Sequence, residues 1–287
     1  MKTRSIGTTT VSEIGLGGMP MSIEGRPDEA RSIATIHGAL DAGITLIDTA
    51  DAYLLEPGET GHNERLIATA LSSYDGDTSD VLVATKGGHL RPGDGDWTID
   101  SSPTHLRSAC DASLRALGVD AIGLYQLHRP DPEVDYADSL GAMRSLYDDG
   151  KVRMIGISNA TIAQIQQAQD IIGDALVSVQ NQFSPAYRAS EAELRFCGEQ
   201  GLAFLPWSPF GGISKAGDLG SSFAAFAEVA VAHDVSPQQV CLAWLLAKGG
   251  HVVPIPGASR PETITDSARA GELQLTDDEL AHLDASS

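Results

Sequence analysis

Asp48, Tyr53, Lys86 and His128 are residue types that together can move a proton to or from a substrate oxygen, and each closes or follows a short apolar run. A phenol with an ordinary pKa near ~10 is a weak acid at neutral pH, and an adjacent ammonium improves it by stabilising the phenolate. Lys86 would supply that charge to Tyr53, and Asp48 would keep Lys86 protonated and oriented. His128 would donate a hydrogen bond to the substrate oxygen. Taken singly, each has a plainer reading. Asp48 could cap a loop and Tyr53 could be part of a wall. Lys86 could be a surface charge or a Schiff-base nucleophile, and His128 a hydrogen-bonded structural residue.

The four can meet only if their apolar runs are strands whose carboxyl ends share one face. Runs at 14–17, 45–48, 81–85, 122–128, 152–158, 177–180, 203–207 and 252–255 read as eight strands. Amphipathic stretches at 28–42, 104–117, 161–172 and 237–247 alternate with them. Capping signals mark two helix starts, Ser236 before Pro237, and Thr276 followed by Glu279. The alternation predicts an α/β fold, a (β/α)8 or TIM barrel, with an N-terminal hairpin turning at Gly7-Thr8-Thr9. The whole chain, 1–287, reads as a single barrel domain. An open doubly wound sheet is the competing architecture, but Gly17-Gly18-Met19-Pro20 after the first strand is not a GxGxxG turn. Two segments rich in Gly, Asp and Ser, 91–102 and 211–222, leave the active face as candidate lids.

Composition narrows the partners. With 42% hydrophobic and 20% charged residues, no apolar run of membrane-spanning length and no secretion-signal pattern at Met1-Lys2-Thr3-Arg4, the expected location is the cytoplasm. A net charge of −20 without a basic, aromatic-interleaved cluster argues against nucleic acid. Cys110, Cys197 and Cys241 lack CxxC spacing and read as buried apolar residues in helices, with no metal expected.

In order along the chain stand Gly15-Leu16-Gly17-Gly18, Asp48-Thr49-Ala50-Asp51-Ala52-Tyr53, Gly61-His62-Asn63-Glu64 and Thr85-Lys86. Leu127-His128-Arg129-Pro130, Gly156-Ile157-Ser158-Asn159 and Pro206-Trp207-Ser208-Pro209 follow. In these the chain resembles the aldo-keto reductase superfamily over nearly its full length. The resemblance implies a barrel in which Tyr53 is the general acid, Lys86 and Asp48 tune it, and His128 orients the carbonyl. It also implies NADPH, in preference to NADH, lying extended across the barrel mouth, with an aldehyde or ketone as substrate. Pyridoxal-like aldehydes, sugars and xenobiotic carbonyls are all admitted, and the assembly expected is a monomer or a weak homo-oligomer.

Residue chemistry can be matched to that cofactor. Ser158, Asn159 and Gln180 suit the nicotinamide carboxamide, and Trp207 a stacking face. Ser208 with the backbone of Phe210, Gly211 and Gly212 suits the pyrophosphate. Ser259 and Arg260, after Gly257 at the start of a helix, suit a 2′-phosphate. A common family version has Lys-Ser and later Glu-Asn where this chain reads Gly257, Ala258, Asp266 and Ser267, and Gly257, Asp266 and Ser267 stand with the others as cofactor-binding candidates.

Met19, Met21, Leu54, His89, Trp97 and Arg129 are candidates for the substrate wall. Barrel-end packing is the equal alternative for the two methionines, and an ion pair with Asp131 the alternative for Arg129. Two other functions are weighed. One is a cofactor-binding sensor or regulatory subunit, since Leu127-His128-Arg129-Pro130 also resembles potassium-channel β-subunits. The other is a lysine-based aldolase acting through Lys86.

Overall fold

Strands of a parallel sheet covered by helices are buried on both faces, and so must be apolar at nearly every position. Seven of the eight expected runs form strands of this kind. In the computed structural model, which describes residues 1–92 and 96–287, two strands of an N-terminal hairpin, Thr3–Ile6 (β1) and Thr9–Ser12 (β2), precede Leu16–Gly17 (β3) and Leu46–Asp48 (β4). Leu82–Gly87 (β5) is followed by a small ribbon, His89–Leu90 (β6) and Thr98–Ile99 (β7). Leu124–Leu127 (β8), Ile155–Ser158 (β9), Leu176–Gln180 (β10) and Ala203–Phe204 (β11) complete the set. One parallel sheet runs β11-β10-β9-β8-β5-β4-β3.

The eighth run closes the ring without forming a regular strand. Phe204 N–H donates to the His251 carbonyl and Val253 N–H to that of Phe204, while Gly15 and Gly17 donate to Pro254 and Pro256. Pro254 and Pro256 have no N–H to return, so this side of the segment accepts without donating. The result is a (β/α)8 barrel closed by single bridges at Phe204–Val252 and Gly17–Gly257. Pro206 likewise ends β11 at Phe204, earlier than the run to Trp207 predicts.

Helices pack outside. They are Glu29–Asp41 (α1), His62–Ser72 (α2), Pro103–Leu117 (α3), Tyr136–Asp148 (α4), Ile162–Ile172 (α5) and Glu191–Gln200 (α6). Leu219–Ser222 (α7), Ala224–His233 (α8), Pro237–Ala247 (α9), Pro261–Ala268 (α10) and Asp277–Ala285 (α11) follow. Side-chain caps start several of them: Asp28 on α1, Ser102 on α3, Ser236 on α9 and a full capping box of Thr276 with Glu279 on α11. Cys110, Cys197 and Cys241 are buried in α3, α6 and α9, unpaired, as their reading as small apolar residues requires. Among the described residues no His, Cys, Asp and Glu grouping suits a metal, and no helix is long and apolar enough to cross a membrane.

The hairpin covers the barrel end opposite the strand carboxyl termini. Its Ile6 and Val11 are fully buried in one cluster with Leu46, Leu82, Leu124, Val177 and Val253. Gly7, at φ +56°, makes the turn where a Cβ would lie 2.5 Å from Val177 Cγ1.

Both expected lid segments carry more structure than loops. Residues 211–222 form a 3-10 turn, Ile213–Asp218, running into α7. Segment 91–102 includes β7, paired antiparallel with β6 in the register His89 to Ile99; its residues 93–95 lie outside the described residues.

Candidate active site

Inward-facing positions at the carboxyl ends of adjacent strands build the centre of the site. Asp48 ends β4, and Lys86, expected just after its strand, lies within β5 one position before its end at Gly87, in register with Gln126 of β8. Lys86 is completely buried, and its ammonium has three protein acceptors. It donates to Asp48 Oδ1 at 2.5 Å, to the Thr49 carbonyl at 2.9 Å and to Tyr53 Oη at 3.2 Å. Asp48 Oδ2 accepts from Gln180 at 2.7 Å and from Gln126 at 3.2 Å. A buried ion pair is tolerable only when such bonds satisfy the remaining lone pairs and protons.

Charge balance follows from this geometry. Burial alone would lower the Lys86 pKa, but Asp48 and Tyr53 opposite it outweigh burial, and the ammonium is held above its usual range. For Tyr53, burial pushes the phenol up and the Lys86 charge pulls it down, with a net rise. The simple expectation of an acidified phenol is therefore met only as one of two opposing effects.

His128 stands directly after β8, its backbone N–H bonded to the Gly87 carbonyl. Burial, then His89, Lys86 and Arg129, holds its imidazole well below the usual histidine pKa, so the ring is neutral. Its Nδ1 is buried without a partner among the described residues. The rings of His128 and Tyr53 meet edge to face at 5.9 Å, and His89 lies 4.2 Å from His128.

A cavity of about 690 Å3 opens above these groups. Tyr53, His128 and Asp48 line it, together with Ser158, Asn159, Gln180, Trp207, Ser208, Phe210, Gly212, Gly257, Ser259 and Arg260. So do Met19, His89, Trp97 and Arg129. Residues from six or more separate strand ends thus converge on one space. Asn159 (φ +59°) and Ser208 (φ +49°) hold left-handed backbone in its wall, a conformation costly for serine and a mark of a constrained site.

Other expected residues are placed elsewhere. Met21 is buried among Leu16, Ile36 and Ile47, and Leu54 is buried with its carbonyl accepting from Arg91 Nη1 at 2.5 Å. Gly211 is outside the cavity lining and donates its N–H to the Ser208 carbonyl. Asp266 accepts from Ser236 Oγ and Gln239 Nε2, each at 2.6 Å, joining α9 to α10, and Ser267 is buried behind it.

Sequence reasoning passed over Gln126, whose amide reaches Asp48, and Thr263, which lines the cavity from the first turn of α10. Gln126 had a signal: a lone amide among apolar residues in a run buried on both faces needs a polar partner. Asp51 and Glu64 were seen only as motif letters. Both are buried, and burial raises both carboxyls, with Glu64 raising Asp51 further.

The cavity fits a long ligand carrying an amide, a flat ring and phosphates. The Trp207 indole N–H is buried without a protein partner, and the Gln180 side-chain carbonyl has no donor among the described residues. Gly212 (φ +129°) has open space where a Cβ would stand, and Arg260 is exposed with no ion pair among the described residues.

The chain is similar to known proteins over nearly all of its length. The model of the Aldo/keto reductase family matches residues 13–287. An uncharacterised oxidoreductase of Schizosaccharomyces pombe is 33% identical, covering 98% of this chain and 89% of its own. Pyridoxine 4-dehydrogenase of Escherichia coli is 32% identical, over 98% of this chain and 97% of its own. An aldo/keto reductase from Klebsiella pneumoniae, solved with NADP and acetate, superposes with a TM-score of 0.80 at 28% identity, covering 99% of this chain and 94% of that one.

Proposed function

The chain belongs to the aldo/keto reductase family, oxidoreductases acting on carbonyl and alcohol groups, and we propose that it reversibly reduces aldehydes or ketones with NADPH. The observation that carries this reading is the position of the Lys86 ammonium, bonded at once to Asp48 and to the Tyr53 hydroxyl at the base of the cavity.

Tyr53 is the proton donor to the substrate oxygen. As its O–H bond breaks, Lys86 stabilises the phenolate that forms, and Asp48 with its two amide donors keeps Lys86 charged and aimed. Neutral His128 donates an N–H to the same oxygen and fixes the carbonyl before transfer. NADPH supplies the hydride when bound. Ser158, Asn159, Gln180 and Trp207 would hold its nicotinamide, and Ser208, Phe210, Gly212 and Gly257 its pyrophosphate region. Ser259 and Arg260, the latter without an ion pair among the described residues, would hold the 2′-phosphate, the basis for NADPH over NADH. Asp266 and Ser267, occupied in joining α9 and α10, act on that end only through the helix they support.

Purified protein mixed with NADPH and a panel of aldehydes, pyridoxal included, tests the reading. Consumption of NADPH that falls by about 100-fold or more in Tyr53→Phe, with cofactor binding retained, is the expected result. Binding without consumption on every substrate would instead favour a sensor, and borohydride trapping of a substrate adduct on Lys86 an aldolase.

A further inference from the structure

Arg129 follows His128 on the loop after β8 and lines the cavity, half-buried, beside the catalytic candidates. The loop around it is fixed. Ser101 Oγ donates to the Arg129 carbonyl at 2.8 Å, and Asn159 Nδ2 to the His128 carbonyl at 3.0 Å. Asp131, the nearest carboxylate in sequence, accepts instead from the backbone N–H groups of Ser101 and Glu133. Among the described residues the Arg129 guanidinium therefore has a fixed base and no counter-ion.

A half-buried cation without a partner is a cost to folding that a ligand can offset. Among the described residues the only carboxylate in the cavity wall is Asp48, already paired with Lys86 and bonded by two amides. The remaining cation of the wall, Arg260, stands at the start of α10. In a chain of net charge −20, the free charge facing this cavity is thus positive. The long-range field repels anions, but it is screened beyond about 8 Å at physiological salt, whereas a guanidinium in direct contact is not.

Resting on the reductase reading above, we infer that Arg129 forms an anion subsite for the substrate, so that the favoured carbonyl compounds carry a carboxylate or phosphate group. Met19, Trp97 and Ile99 supply the apolar wall along which the body of such a molecule lies. The guanidinium pairs with its anionic end by charge-assisted hydrogen bonds, while Tyr53 and His128 take the carbonyl oxygen.

The test compares kcat/KM for para-carboxybenzaldehyde and its methyl ester. In the wild type the acid is expected to be favoured by about 10-fold or more, with the preference shrinking as salt is raised. Arg129→Gln is expected to lower the acid-to-ester ratio by about 10- to 100-fold, and Arg129→Lys to restore part of it. A wild-type ratio at or below one, or an unchanged ratio in Arg129→Gln, overturns the subsite. So does a weakening of NADPH binding in Arg129→Gln by the same factor as the ratio, which would assign the residue to the cofactor. Reduction of both compounds without charge preference leaves the reductase reading standing and removes only the subsite. Reduction of neither, nor of any aldehyde in the wider panel, removes both.

Discussion

Gln180 donates its side-chain N–H to Asp48 Oδ2 over 2.7 Å, joining two strand ends that are 132 residues apart in sequence. The amide expected to face a nicotinamide thus also serves the carboxylate that holds Lys86. That bond satisfies a carboxylate oxygen that Lys86 does not reach, and so fixes the orientation of the group to which the ammonium is bonded.

Gln180→Met, which keeps volume but loses the donor, is expected to cost about 1–3 kcal/mol in urea unfolding. It should also lower kcat for aldehyde reduction by roughly 10-fold. Lys86→Met should be worse on both counts, since it leaves Asp48 buried without its cation, at about 3–5 kcal/mol. If both variants unfold at the same urea concentration as wild type, the network does not stabilise the fold as argued.

Much of this was legible in the residues. A buried run on both faces announces a parallel strand, so β4, β5 and β8 to β10 could be read, and with them the meeting of Asp48, Tyr53, Lys86 and His128. What escaped depended on long-range pairing. The eighth segment looks like a strand in its side chains, but Pro254 and Pro256 remove donors that only its neighbour β3 would have used. Segment 211–222 has loop composition, yet packing lets it form helical turns that no local periodicity marks. Whether Arg129 pairs with Asp131 was open from sequence, because both groups had to be placed before their partners could be counted.

His128 should stay neutral through the physiological range. Its pKa is depressed by burial first and then by His89, Lys86 and Arg129, so acidification through the ordinary histidine value near ~6.5 does not charge it. The kcat/KM profile for reduction should therefore have no inflection near that pH, and its alkaline limb should begin only above ~10, where a phenol raised by burial begins to ionise. The unfolded chain does take up that proton, so His128 makes stability fall as pH drops below about 6.5. An imidazole proton resonance for His128 titrating near the ordinary value would refute this.

Asp51 gives the opposite sign. Its carboxyl is raised well above the usual range, mainly by burial and then by Glu64, and Oδ1 has no partner among the described residues. The unfolded chain releases this proton near pH ~4 while the folded one retains it, so the wild type loses stability as pH rises from there toward the folded value. Asp51→Asn has no proton to lose. Its stability relative to wild type should therefore grow with pH, with a slope of up to about 1.4 kcal/mol per pH unit, in urea unfolding between about pH 4 and 7. A difference that does not vary with pH would mean that Asp51 is ionised in the fold.

Arg4 ties the hairpin to the far end of the barrel. Its guanidinium donates to the carbonyls of Leu246 at 2.9 Å, Gly249 at 2.5 Å and Val252. Leu246 is in the last turn of α9, where carbonyls lack helical partners and a cation is favoured, and Val252 begins the segment that closes the sheet. Burial lowers the Arg4 pKa, so the group is held against a real desolvation cost by these acceptors and by the charge of Glu13. Arg4→Met keeps the stem and removes all three bonds, and is expected to cost about 2–4 kcal/mol and lower the Tm by several degrees. Arg4→Lys should recover only part, because one ammonium lacks the planar fork that spans three carbonyls. The site lies at the opposite end of the strands, so aldehyde turnover at room temperature should change little. Limited proteolysis should cut first near residues 248–252 as the closing segment loosens, and an Arg4→Met protein with wild-type Tm and protease resistance would show that the hairpin is not held this way.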